Sequence, residues 1–164
     1  MILLGLGSNL VMGGFKTSGD VLEAAIKSLV EKEVKVVGRS PWYRSAPIPV
    51  SDLPWFINGV VAVSTDLSPN DLLQVLHAIE HEFGRVRVER NGSRTLDLDL
   101  LAYDERVQTA AEGAVLPHPR LQDRAFVLMP LADLAPEWRH PITGRTAAEM
   151  LEILPPGQDV ERLD

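Results

Sequence analysis

The run Arg94-Thr95-Leu96-Asp97-Leu98-Asp99-Leu100-Leu101 constrains this chain more than any other segment. Leu96, Leu98 and Leu100 alternate with Thr95, Asp97 and Asp99, the period of a strand with one face in a core. Asp97 and Asp99 therefore project to the same side, their Cα atoms roughly 6.5–7 Å apart. Two carboxylates so placed repel each other unless a cation lies beside them, and oxygen-only ligands suit Mg²⁺. Just upstream, residues 84–94 hold Arg85, Arg87, Arg90 and Arg94 against one acid, Glu89, although the whole chain has a formal charge of −7. Carboxylates for magnesium beside arginines for phosphate are the two halves of a nucleotide-triphosphate site.

A length of 164 residues fits one domain, 1–164, with its own core. The acidic balance argues against a general nucleic-acid coat, so the arginine cluster needs its own explanation. No apolar run approaches the ~18 residues of a membrane span. The first residues, Met1-Ile2-Leu3-Leu4-Gly5-Leu6, have neither the basic start nor the length of a signal peptide. With no cysteine, disulfides and thiolate metal sites are excluded, which fits a cytoplasmic protein. A monomer is the default expectation.

Along the chain, residues 2–6 read as a strand. Asp20 with Glu23 predicts the start of a helix over 20–31, with Val21, Leu22, Ala25, Ile26 and Leu29 at helical spacing. Residues 34–43 read as a strand, and 45–54, with Pro47, Pro49 and Pro54, as a loop. Residues 56–65 form a further strand with Phe56, Asn58, Val60 and Ala62 on one face. Ser68 caps a helix with Pro69 at its first position, ending at Gly84. The aspartate strand follows. This β-α-β-β-α-β order predicts an α+β fold, a ferredoxin-like antiparallel sheet with both helices on one face. A helical extension follows, with a helical stretch around 121–134 and a last helix opened by the Thr146/Glu149 capping box. Residues 155–164 read as a loosely ordered polar tail.

Two other motifs give way to simpler readings. Gly5-Leu6-Gly7 after a strand suggests a dinucleotide-binding turn, but Leu10 stands where the third glycine belongs. His77-Ala78-Ile79-Glu80-His81 has the H-x-x-E-H pattern of inverted zinc proteases. Leu72, Leu76, Ile79 and Phe83 occupy one ~60° arc, and His81 falls about 160° from its centre, on the solvent side. Glu80 lies about 60° from that centre, at the rim of the buried stripe. Trp42, Trp55 and Trp138 read as core residues.

The segment Arg90-Asn91-Gly92-Ser93-Arg94-Thr95-Leu96-Asp97-Leu98-Asp99-Leu100-Leu101 resembles the signature of the 6-hydroxymethyl-7,8-dihydropterin pyrophosphokinase family. Gly7-Ser8-Asn9, Tyr43-Arg44-Ser45, Phe56-Ile57-Asn58, Leu116-Pro117-His118-Pro119-Arg120 and Arg124-Ala125-Phe126-Val127-Leu128 extend the resemblance over residues 2–154. It implies transfer of the β,γ-pyrophosphoryl group of ATP to the hydroxymethyl oxygen of the dihydropterin, releasing AMP. It also implies two Mg²⁺ ions on Asp97 and Asp99. Arg85, Arg87, Arg90 and Arg94 match the family's arginine loop, with Arg94 on the triphosphate and Arg85 at the hinge. His118 and Arg124 match phosphate contacts, Leu98 the backbone near adenine, and Glu80 a helix residue near the ATP site. Phe56 and Phe126 match a pair that stacks on the pterin, and Asn58 its hydrogen-bonding edge. Ser45, Ala46, Pro47 and Ile48 match the loop that completes that edge. Asn91 and Pro119 stand where some members have an aromatic residue and a tyrosine.

Two rival classes remain in view. A ferredoxin-like sheet with an arginine loop can bind RNA, but no strand here carries the expected exposed aromatic motif. A magnesium phosphohydrolase would use the same aspartates, and Phe56 with Asn58 favours the pterin substrate instead.

Overall fold

The computed structural model of the chain describes residues 1–11, 14–84 and 95–163. β1 (Ile2–Ser8) is the spine. It pairs antiparallel with β4 (Phe56–Ser64) on one side and β5 (Asp97–Tyr103) on the other. β4 pairs in turn with β2 (Lys35–Arg39) and β3 (Tyr43–Ser45). The sheet runs β5-β1-β4-β3, and β6 (Val160–Arg162) closes it on β3.

Alternation along these strands builds two cores. Leu4, Leu6, Val61, Val63, Leu98 and Leu100 point to one face and pack with Val21, Leu22 and Leu29 of α1 (Ser18–Glu31) and Leu72, Leu76 and Ile79 of α2 (Pro69–Glu82). Leu3, Val60, Ala62 and Ala102 point to the other and pack with Val127, Leu128 and Leu131 of α3 (Ala125–Leu134) and with Ala147 and Met150 of α4 (Ala147–Glu152). The mixed α/β architecture, the antiparallel sheet and the two helices on a shared face agree with the sequence reading.

Four details correct it. The helix α1 starts earlier than Asp20: Thr17 is the N-cap, its hydroxyl accepting the Asp20 N–H at 3.1 Å while the Asp20 carboxylate accepts the Thr17 N–H at 3.2 Å. The expected single strand over 34–43 is two strands. The Ser40-Pro41 step interrupts it, because proline removes a ladder donor. There Ser40 accepts the Val60 N–H at 3.0 Å, and Trp42 packs where a Cβ at Gly59 would collide with its ring. Within the tail, Val160–Arg162 is not loose but forms β6. Trp55 is partly exposed, lying under the Arg44 guanidinium at 4.6 Å rather than in a core.

Ser68 caps α2 with Pro69 at the first position, and Gly84 follows with φ +77°, as its sequence predicts. His77 and His81 are exposed on that helix, in agreement with the solvent-face reading. No helix among the described residues is long and apolar enough to cross a membrane.

Candidate active site

The face of the sheet that carries α3 is hydrophobic at one end and open at the other. The difference is the side chains of β1. Leu3 fills the closed end, whereas Gly5 and Gly7 leave the open end bare. Register puts Gly5 between Asp99 and Val60, and Gly7 between Asp97 and Asn58. The result is a cleft of about 630 Å³ with a glycine floor, carboxylates on one bank and the Phe56/Asn58 face of β4 on the other. Glycine inside a strand often marks such a close approach.

On the carboxylate bank, Asp97 and Asp99 face the cleft while Leu98 is buried in the opposite core, as the alternation requires. Leu116-Pro117 is a cis bond, and the His118 N–H that follows is tied to the Leu101 carbonyl at 2.9 Å. The His118 Nδ1 accepts the Arg120 N–H at 3.2 Å, which assigns the ring proton to Nε2. That nitrogen stands 3.9 Å from Asp99 Oδ1. Burial, then the nearby Arg124 guanidinium, pushes the imidazole down to about 4. His118 is therefore a neutral N–H donor rather than a cation. Arg124 Nη1 lies 3.7 Å from Asp99 Oδ2, and its guanidinium lies 5.5 Å from the centre of the Phe126 ring. Among the described residues, no three His, Cys, Asp or Glu side chains form a metal cluster by themselves.

On the opposite bank, the buried Asn58 donates from Nδ2 to Ser45 Oγ at 2.6 Å. Phe56, Ala46, Pro47 and Ile48 line the same end, and Phe126 enters from α3. Asn9 anchors the far side of the proline-rich loop, its Nδ2 donating to the Pro54 carbonyl at 3.0 Å.

Ten of the sequence-derived candidates thus share one cleft: Asp97, Asp99, Arg124, Phe126, Phe56, Asn58, Ser45, Ala46, Pro47 and Ile48. His118 borders it through Asp99. Glu80 and Leu98 stand behind the carboxylate bank. Glu80 is not at the rim of α2 but buried, and its Oε2 accepts the Leu98 N–H at 2.9 Å. The backbone N–H of Leu98 is therefore already engaged. Arg85, Arg87, Arg90 and Arg94 lie outside the described residues.

The sequence reading missed several lining residues. Gly5 and Gly7 were legible as glycines at alternate positions of a buried strand. Arg120 and Asp123 line the cleft beside Arg124. Gly157, Gln158 and Asp159 complete the lining from the C-terminal segment, and no local pattern announces them.

A family model described as 7,8-dihydro-6-hydroxymethylpterin-pyrophosphokinase matches residues 3–136. The chain is 43% identical over 162 residues to a 2-amino-4-hydroxy-6-hydroxymethyldihydropteridine pyrophosphokinase of Methylorubrum extorquens, spanning 98% of this chain and 97% of the relative. It is 44% identical over 163 residues to the protein of that name from Pseudomonas aeruginosa, spanning 99% and 96%. Among solved structures, wild-type Plasmodium falciparum HPPK-DHPS with pteroate matches with a TM-score of 0.70 at 15% identity. That match covers 92% of this chain and 43% of the other and is a likeness of fold.

Proposed function

The chain belongs to the 7,8-dihydro-6-hydroxymethylpterin-pyrophosphokinase family, and from that membership we propose how its cleft divides the work. It is an ATP-dependent enzyme of folate biosynthesis that transfers pyrophosphate to the hydroxymethyl group of 6-hydroxymethyl-7,8-dihydropterin. In that transfer the hydroxymethyl oxygen bonds to the β-phosphorus, the bond from that phosphorus to the AMP oxygen breaks, and the hydroxyl proton is released. The frame supports a ferredoxin-like reading: β5-β1-β4, then β2 and β3 together as the fourth position, with α3 and α4 as the extension.

The observation that carries the proposal is the shared sheet face. Asp97 and Asp99 stand across the glycine floor from Phe56 and Asn58. A metal and phosphate end and a pterin end therefore meet within one cleft. The Asp97/Asp99 pair fits magnesium, which is ordinarily held by one or two carboxylates with substrate phosphates and waters completing its shell. Two bound Mg²⁺ ions would supply charge neutralisation on the triphosphate and a lower pKa at the attacking hydroxyl.

The chain's own groups do the rest. Arg124 and the neutral Nε2–H of His118, 3.7 Å and 3.9 Å from Asp99 carboxylate oxygens, donate to phosphate oxygens there. Arg120, at the same end, adds a cation. Arg94, with Arg85, Arg87 and Arg90, contributes triphosphate contacts from the cationic segment. Glu80 holds β5 by its Leu98 N–H, leaving the Leu98 carbonyl for adenine on the outer edge of the sheet.

At the pterin end, Phe56 and Phe126 stack on the two ring faces. Asn58, fixed by Ser45, hydrogen-bonds the heteroatom edge, and the backbone of Ala46, Pro47 and Ile48 completes it.

The test is AMP formation from ATP and magnesium, with and without the hydroxymethyl dihydropterin. Pterin-dependent AMP is expected. ADP as product, or no dependence on the pterin, would sink the reading.

A further inference from the structure

We propose that Gln158, in the C-terminal segment, is a positioning residue that sets the backbone turn carrying Arg124 and Phe126; this rests on the roles given to those two residues above. α3 starts directly after Arg124, which supplies no side-chain cap of its own. The first N–H groups of a helix lack intrahelical partners. Here a residue distant in sequence fills the role: Gln158 Oε1 accepts the Ala125 N–H at 2.9 Å. The same amide donates from Nε2 to the Asp123 carbonyl at 2.8 Å. One planar group thus binds the backbone immediately before and immediately after Arg124, fixing the peptide planes that aim its side chain and that of Phe126.

Gln158 is itself held. β6 pairs with β3 from Ser45–Val160 to Tyr43–Arg162, and the Asp159 carbonyl accepts the Ala46 N–H at 3.0 Å. Gly157, with φ +116°, makes the turn that brings the segment into the cleft. The segment therefore ties together two walls of the pterin end, the Ala46 loop and the α3 turn. A loose tail would have no need of an amide bonded at both ends.

The experiment compares the full chain with Gln158→Ala and Gln158→Glu. Pterin Kd is read by fluorescence titration with magnesium and a non-hydrolysable ATP analogue. The turnover parameters, Tm and hydrogen exchange of the Ala125 amide are measured beside it. Gln158→Ala is expected to raise the pterin Kd about tenfold, the scale of a lost cap and its partner bond, and to speed exchange at Ala125. Gln158→Glu keeps the acceptor toward Ala125 but has no donor for the Asp123 carbonyl, so it is expected to recover only part of the loss, with a Kd between those of Gln158→Ala and wild type and Ala125 exchange nearer wild type. A Gln158→Ala protein whose Kd stays within about twofold of wild type, even with a lowered Tm, overturns the positioning role alone. A wild-type chain that binds no pterin overturns the reading beneath it.

Discussion

One added methyl at Gly7 tests the floor of the cleft. An ideal Cβ at Gly7 would lie 3.1 Å from Asn58 Oδ1, where ordinary contact begins at 3.4 Å. The amide must therefore retreat by about 0.3 Å, the difference between those two distances. Asn58 has little freedom to do so, being buried and holding Ser45 Oγ at 2.6 Å. Stretching or losing that hydrogen bond costs the fold about 1 kcal/mol, and the displaced amide loses a bond of the same scale to the pterin edge, roughly a fivefold rise in pterin Kd. Folding stability should fall by less, roughly 0.5 kcal/mol, because the alanine offsets about half of the lost bond. Gly7 sits in an extended strand, where alanine is gained at about 0.5 kcal/mol through the unfolded state. Gly5→Ala is the matched control. The three heavy atoms nearest its Cβ would be Leu101 side-chain carbons at 3.4–3.6 Å, ordinary packing, so pterin affinity should stay near wild type. Fluorescence titration of both variants with thermal melts decides the matter. A Gly7→Ala protein that binds pterin as wild type does, or a Gly5→Ala protein that loses as much, would refute the assignment of Asn58 to the pterin edge.

Three further outcomes are expected. Asp97→Asn and Asp99→Asn should each lower kcat by roughly a hundred- to a thousandfold with circular dichroism unchanged, and wild-type turnover in either would remove the carboxylates from the metal site. Arg94→Ala should lower kcat more than it raises KM for ATP, so an unaltered kcat would exclude a transition-state role. Tyr43, whose hydroxyl bonds the Asp133 carboxylate, is pushed up to about 12 by burial and then by that carboxylate, against an ordinary value of 10.0. Below pH 10.0 both states keep the proton and the stabilisation is fully present. Between pH 10.0 and about 12 the unfolded chain loses it first, so urea midpoints should fall with rising pH. Tyr43→Phe should flatten that slope, and an identical slope in the variant would discard Tyr43 as its source.

How much of this was legible in the sequence depended on whether the controlling contact was local. The Leu96/Leu98/Leu100 alternation is a property of one strand, and it placed both aspartates correctly on the opposite face. Ser68-Pro69 announced the start of α2 for the same reason. Glu80 was placed at a rim because helix phase alone cannot see that β5 offers the Leu98 N–H on that side. The strand over 34–43 failed at Ser40-Pro41, where β-branched neighbours masked a proline that ends one ladder and lets the next begin. The tail failed more completely. Val160–Arg162 is too short to have a period, and its order comes from β3 and from the Asp123–Ala125 turn, partners at least 33 residues away.

The two floor glycines show why a motif can be discarded correctly and its residues still matter. Gly5-Leu6-Gly7 lacks the spacing of a phosphate-binding turn, yet both glycines lie under a cleft, each for a different neighbour. β1 and β5 slip register between Leu3 and Leu4, so that Leu4 faces Leu100 while Leu3 faces Ala102. Leu101 is the extra residue, and both it and Ala102 join the α3-side core. Its side chain folds over Gly5, closing the cleft against that core. Gly7 lies one pleat further out, past the bulge, where its missing side chain leaves space for Asn58 and for the open cleft. One strand pair thus passes from packed interior to open cleft within a few residues. The boundary is drawn by a bulge and two absent side chains, and the same pleat that buries Leu98 and Leu100 keeps Asp97 and Asp99 on the cleft side.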